Sequence, residues 1–169
     1  CVCTEENIVV GAGVQTLLNI LCPLLKNKRS VCFDDLSYRQ GTAIFSDYGF
    51  KVNGDRKKSN IIYVSPSYST RWGDVMSVKE RFDLTDFARK NNKLIIEDDY
   101  GSEFRYFNRP TPSLQGLDGG ENVVYLGTFS KLLLPSIRIS FMILPKELTE
   151  AYMKKKDVYN QTVSKQEHH

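Results

Sequence analysis

A lysine closes the run Val123-Val124-Tyr125-Leu126-Gly127-Thr128-Phe129-Ser130-Lys131, an apolar stretch with a hydroxyl-rich exit, and Arg138 follows seven residues later. An amine so placed is either an ordinary surface group or a nucleophile of the Schiff-base type, active once a buried or cationic setting lowers its pKa. Thr128, Ser130 and Arg138 are donor types that a phosphate group takes.

A second stretch, Leu94-Ile95-Ile96-Glu97-Asp98-Asp99-Tyr100, sets three carboxylates and a phenol at the exit of an aliphatic run. Adjacent acids repel one another, so at least one needs a cationic partner or a metal. Helix capping, surface pairing and a magnesium site are the other readings. A third stretch, Ile8-Val9-Val10-Gly11-Ala12-Gly13-Val14-Gln15-Thr16, reads as strand, glycine turn and helix start. Glycines there let backbone approach a ligand, and a helix N-terminus favours an anion such as phosphate. A dinucleotide site competes: the turn begins G-x-G, and Asp34 or Asp35 stands about 20 residues on, where a ribose-binding acid sits. Thr16 occupies the position of the third glycine.

Composition removes other chemistries. Both histidines, His168 and His169, close the chain and look like the stub of a purification tag. A Ser-His-Asp or Cys-His system and a histidine metal site are therefore excluded. The cysteines at 1, 3, 22 and 32 lack paired C-x-x-C spacing. Cys22 and Cys32 fall in apolar segments and read as small core residues of a reducing, cytoplasmic setting, with no metal site. The net charge of +3 over 169 residues is too small to argue for nucleic acid, and no apolar run is long enough for a membrane span.

The elements that position these loops follow from periodicity. Strands are expected at Ile8–Val10, Val31–Phe33, Ile61–Val64, Leu94–Glu97, Val123–Leu126 and Ile139–Leu144. Most are continuous β-branched runs, the pattern of strands buried on both faces of a mostly parallel sheet. Helices are expected at Val14–Lys26, Arg39–Tyr48, Val78–Asn91 and Glu147–Asn160. In Val78–Asn91, Phe82, Leu84, Phe87 and Ala88 are expected on the apolar face and Lys79, Glu80, Arg81, Arg89 and Lys90 largely on the other. The polar stretch Asn53–Asn60 reads as an exposed connection. Strand–helix alternation implies a three-layer α/β/α sandwich, whose ligands bind beyond the carboxyl ends of the strands. All three stretches with chemistry lie at strand exits. An amine for an aldehyde, a carboxylate for a pyridinium nitrogen and a phosphate cradle together suggest pyridoxal 5′-phosphate.

Longer runs carry a family resemblance. Ile96-Glu97-Asp98-Asp99-Tyr100-Gly101-Ser102-Glu103-Phe104-Arg105-Tyr106, then Leu114-Gln115-Gly116-Leu117-Asp118, then Tyr125-Leu126-Gly127-Thr128-Phe129-Ser130-Lys131 with Pro135 and Arg138, resemble the fold-type-I aminotransferases. They look most like the aminotransferase-like domain of MocR/GabR-type transcriptional regulators, a branch of the GntR regulators. The resemblance implies that Lys131 is the residue forming the internal aldimine and that Asp98 pairs with the pyridine nitrogen. It makes Tyr100 the phenol on the cofactor's 3′-oxygen and Tyr38 the aromatic residue stacked on the ring. Gly13, Val14 and Gln15 match the phosphate-binding turn, assisted by Thr128, Ser130 and Arg138. Where relatives read "PSHQFPTG", this chain has Pro66-Ser67-Tyr68-Ser69-Thr70-Arg71-Trp72-Gly73, and its connection from Phe50 to Asn60 is shorter.

The resemblance further implies a cofactor-binding large domain over residues 1–150, with 151–169 opening the helix to a small domain that lies beyond this fragment. A homodimer is expected, with a small amine or amino acid as effector. DNA contact is expected only through a separate winged-helix segment, with none by this chain. The enzyme alternative is a class I/II aminotransferase using the same lysine as Schiff-base former and proton shuttle.

Overall fold

The computed structural model describes residues 2–25, 27–67, 75–99, 111–129 and 139–166, with side chains to 157. Seven strands form one sheet: β1 (Ile8–Gly11), β2 (Ser30–Phe33), β3 (Lys51–Asn53), β4 (Ile61–Val64), β5 (Leu94–Asp98), β6 (Val123–Thr128) and β7 (Ser140–Ile143). Their spatial order is β1-β7-β6-β5-β4-β2-β3. β3, β2, β4, β5 and β6 run parallel, while β7 is antiparallel to both β6 and β1. β1 therefore points the same way as β6, and the exits of these six strands share one rim.

Strand alternation sorts the core into two layers. Val31, Phe33, Ile61, Tyr63, Ile96, Val124 and Leu126 face one side, packed with Leu17, Leu18, Leu21 and Phe45. Those helical residues belong to α1 (Val14–Leu21) and α2 (Arg39–Asp47); α5 (Lys146–Gln166) adds Leu148, Ala151 and Tyr152 to the same layer. Ile62, Val64, Ile95 and Val123 face the other side, against Leu84 and Ala88 of α3 (Val78–Lys90) and Leu114 of α4 (Leu114–Asp118). Burial on both faces is why β4 and β5 read as unbroken apolar runs. The three-layer sandwich with a mostly parallel sheet is the architecture expected from the sequence.

Three local expectations change. The segment Asn53–Asn60 is not a plain exposed loop: Asn53 ends β3, Arg56–Lys58 form a 3-10 turn, and Ser59 is buried. The Ser59 hydroxyl lies within hydrogen-bond distance of Asn53 Oδ1 at 2.8 Å and of the Asp55 carbonyl at 2.9 Å, sharing its one proton between them, so the polar residues bond one another. α1 stops five residues early, with a 3-10 turn over Cys22–Leu24 at Pro23, which has no N–H to donate. On α3, Phe82 is 51% exposed whereas Arg81 is 1% exposed. The buried guanidinium donates to the carbonyls of Met76 at 3.0 Å, Pro112 at 3.0 Å and Pro66 at 3.4 Å, which ties the β4–α3 connection to the β5–α4 connection and outweighs the simple apolar stripe.

Candidate functional site

The glycine turn sits where β1 gives way to α1. Gly13 is the N-cap with φ +96° and ψ 163°, a backbone region that is essentially glycine's alone. A Cβ there would meet no atom within 4 Å, so conformation and not crowding demands glycine. Val14 and Gln15 open the first helical turn, where backbone N–H groups have no intrahelical acceptor and the helix dipole is positive.

Register places this turn beside the β6 exit. Ser140 of β7 pairs with Gly11 on one side and with Thr128 on the other, so Gly11 and Thr128 lie about two strand spacings, ~10 Å, apart on the same rim. Asp98 ends β5 opposite Leu126. By alternation, Asp98 continues the side of Ile96 and Thr128 continues that of Leu126, the side covered by α1. Asp98, Thr128 and the α1 N-terminus thus share a rim and a face.

Asp98 is 7% exposed and accepts the Tyr63 phenol on Oδ2 at 2.7 Å. Tyr63 stacks on Phe33 with ring centroids 4.6 Å apart and an interplanar angle of 20°. The Tyr38 ring lies 5.9 Å from that of Tyr63 and is half-buried. Burial first, then the charge of Asp98, pushes the Tyr38 phenol up, while a hydrogen-bonding interaction with Tyr63 offsets part of the rise. Burial and then Asp98 push Tyr63 well above the ordinary phenol range.

The neighbouring acids go elsewhere. Glu97 faces the α3–α4 side and accepts the backbone N–H of Leu114 at 2.8 Å and of Gln115 at 3.0 Å. Burial pushes its carboxyl up to about 7, against the lowering effect of those two amides. Asp99 accepts Ser67 Oγ on Oδ1 at 2.6 Å and the Tyr125 phenol on Oδ2. Separate donors thus serve the three adjacent carboxylates on both sides of the sheet, while the charge of Asp99 still contributes to the rise of Glu97. Among the described residues no three His, Cys, Asp or Glu side chains converge as a metal cluster.

Of the site residues expected from sequence, Gly13, Val14, Gln15, Tyr38, Asp98 and Thr128 fall on this rim. Tyr100, Ser130, Lys131 and Arg138 lie outside the described residues. Tyr63 was missed; its signal was one phenol inside the aliphatic run Ile61-Ile62-Tyr63-Val64. The dinucleotide reading is overturned by topology. It needs β1 and β2 adjacent and parallel, yet four strands separate them, roughly 24 Å of sheet. Asp34 is instead paired with Arg56, and Asp35 accepts from Ser37 at 2.5 Å.

No protein-family model matches the chain. It is 40% identical to the HTH-type transcriptional regulator YdeL of Bacillus subtilis (strain 168) over 175 residues, covering 96% of this chain and 38% of that protein. It is 31% identical to the probable rhizopine catabolism regulatory protein MocR of Rhizobium meliloti, covering 89% of this chain and 33% of that one. The chain matches a MocR-type aminotransferase-like segment. An archaeal alanine:glyoxylate aminotransferase superposes with a TM-score of 0.74 at 26% identity, over 92% of this chain and 44% of the enzyme. The fold is that of the PLP-dependent aminotransferases of fold type I. The chain spans well under half the length of these proteins. No helix among the described residues is long and apolar enough to cross a membrane.

Proposed function

We propose that this chain is the cofactor-binding part of a MocR-type regulator, holding pyridoxal 5′-phosphate and sensing a small amine or amino acid. The observation that carries the reading is the shared rim and face of Asp98, Thr128 and the Gly13 turn. The donor set fits the group: a buried carboxylate for a ring nitrogen, a half-buried aromatic ring beside it, and first-turn amides with a hydroxyl for a phosphate.

When bound, the cofactor supplies an aldehyde that captures amines and a ring that accepts electron density. Asp98 holds the proton on the ring nitrogen. Tyr38 covers a ring face, and the amides of Val14 and Gln15 with Thr128 bind the phosphate. By the family resemblance, Ser130 and Arg138 complete the phosphate site, Tyr100 bonds the 3′-oxygen and Lys131 presents its amine to the aldehyde. A homodimer closes the site, and effector binding is transmitted to DNA through a separate winged-helix domain. Residues 1–150 form the cofactor domain and 151–169 lead out of it.

The regulator is favoured over the aminotransferase because YdeL and MocR match 96% and 89% of the chain at 40% and 31% identity, whereas an aromatic-amino-acid aminotransferase of Thermococcus litoralis matches 54% of it. The test is reduction with borohydride after incubation with pyridoxal 5′-phosphate, followed by peptide mass spectrometry. The pyridoxyl mass is expected on Lys131; its appearance on another lysine, or on none, rejects the assignment.

A further inference from the structure

We propose that Tyr63 is a positioning residue for Asp98, aiming its carboxylate at the cofactor's ring nitrogen and favouring the ionised acid through a donated hydrogen bond. The inference rests on the role given to Asp98 above and adds a residue to it. Tyr63 is a phenol in a strand whose other members are aliphatic, and it is 3% exposed. An aliphatic or phenyl side chain would fill that layer equally well. A hydroxyl at such depth costs stability unless it is hydrogen-bonded, so its presence calls for a partner. The partner is Asp98 Oδ2, 2.7 Å away.

Surroundings hold the phenol in place. Phe33 stacks on one face of the Tyr63 ring, Phe45 meets it edge-on at 6.3 Å, and Tyr38 lies at 5.9 Å. Three aromatic neighbours leave the ring no room to swing, so the oxygen is fixed relative to the β5 exit. A donor fixed on one oxygen sets the carboxylate plane. Hydrogen bonding to the charged form of an acid favours that form, which a pyridinium nitrogen requires of its partner. The phenol proton stays on Tyr63, because burial and the Asp98 charge both oppose its loss.

The experiment compares two probes on the wild-type chain and on Tyr63→Phe, which keeps the ring and removes only the hydroxyl. The probes are pyridoxal 5′-phosphate and its carbocyclic analogue, in which a ring C–H replaces the nitrogen; affinities are read by equilibrium dialysis. Loss of one hydrogen bond to a charged group is expected to weaken pyridoxal 5′-phosphate about tenfold. The carbocyclic analogue, which offers Asp98 no ring nitrogen, is expected to bind both proteins within about twofold. Equal losses for the two probes would assign Tyr63 a merely structural role, and no loss for either would leave it none; each overturns the inference while the cofactor reading stands. A wild-type chain that binds neither probe and gives no borohydride adduct overturns the cofactor reading and this inference together.

Discussion

Glu97 and Asp98 are consecutive residues of β5 whose carboxylates are held from opposite sides of the sheet. The first is held by the amides of Leu114 and Gln115, the second by the phenol of Tyr63. The strand's alternation thus turns one dipeptide into a structural clamp and a candidate ligand contact. Glu97 carries a pH signature. Its carboxyl is raised from 4.5 to about 7, so the folded state binds a proton more tightly than the unfolded chain does. The associated stability is fully present below pH 4.5 and is lost as pH rises toward 7, a change on the order of 3 kcal/mol. Glu97→Gln, which stays neutral, is expected to flatten the pH dependence of the thermal midpoint over that window. Parallel wild-type and variant curves between pH 4.5 and 7 would show that Glu97 does not titrate there.

Asp98 and Asp99 are expected to separate cleanly when each is replaced by alanine. Asp99 ties the β4 exit to β6 through Ser67 and Tyr125, so Asp99→Ala is expected to cost about 1–3 kcal/mol of unfolding free energy. Asp98→Ala is expected to weaken retention of pyridoxal 5′-phosphate more than Asp99→Ala does. Dialysis of both variants together with urea unfolding checks the pair. Equal losses of cofactor would mean that the wrong acid has been assigned.

The sheet was legible in the sequence wherever burial was two-sided, because β4, Leu94–Ile96 of β5 and Val123–Leu126 of β6 form unbroken buried runs. β3 was not, since Lys51-Val52-Asn53 is an edge strand with one alternating apolar residue and looks like a loop. α4 was missed for a similar reason: five residues are too few for a helical period to show. The glycine turn and Asp98 could be placed at strand exits from local pattern alone. That they share a face depends on strand order, and strand order is what decided against the dinucleotide reading. Tyr63 escaped notice because a lone phenol in an aliphatic run looks like packing until its partner's position is known.

Arg81 is the buried charge on which the loops above α3 depend. Its guanidinium serves carbonyls of Met76, Pro112 and Pro66, and its charge also acts on Glu97. Arg81→Met keeps much of the side-chain volume but takes the guanidinium donor from the Met76 and Pro112 carbonyls, at about 1–3 kcal/mol for each one left buried, while the Pro66 carbonyl keeps the Met76 N–H at 2.8 Å. A loss of at least ~2 kcal/mol in urea unfolding is expected. Arg81→Lys is expected to recover only part of it, because one ammonium cannot reproduce the planar fork of donors. Full stability in Arg81→Lys would mean that charge alone, without the fork, holds these loops.

Gly13 offers a test of whether backbone conformation at the α1 entrance governs anion binding. Its φ of +96° disfavours any residue with a Cβ, while the space around that Cβ is open. Gly13→Ala therefore pays only in conformation, by about 1–3 kcal/mol if the turn is kept. If the turn instead relaxes to negative φ, the amides of Val14 and Gln15 swing away from their present direction and stability is largely spared. The two responses are distinguishable: the strained turn lowers the thermal midpoint and keeps affinity for pyridoxal 5′-phosphate, whereas the relaxed turn keeps the midpoint and weakens that affinity. Relaxation is the expected result, because α1 begins at Val14 and the space around an added Cβ is open, so no side-chain contact there would hold the strained conformation. The discriminating control is pyridoxal, which lacks the phosphate and should bind wild type and Gly13→Ala alike; a variant that weakens pyridoxal as much as its phosphate ester would place the effect elsewhere than at the turn.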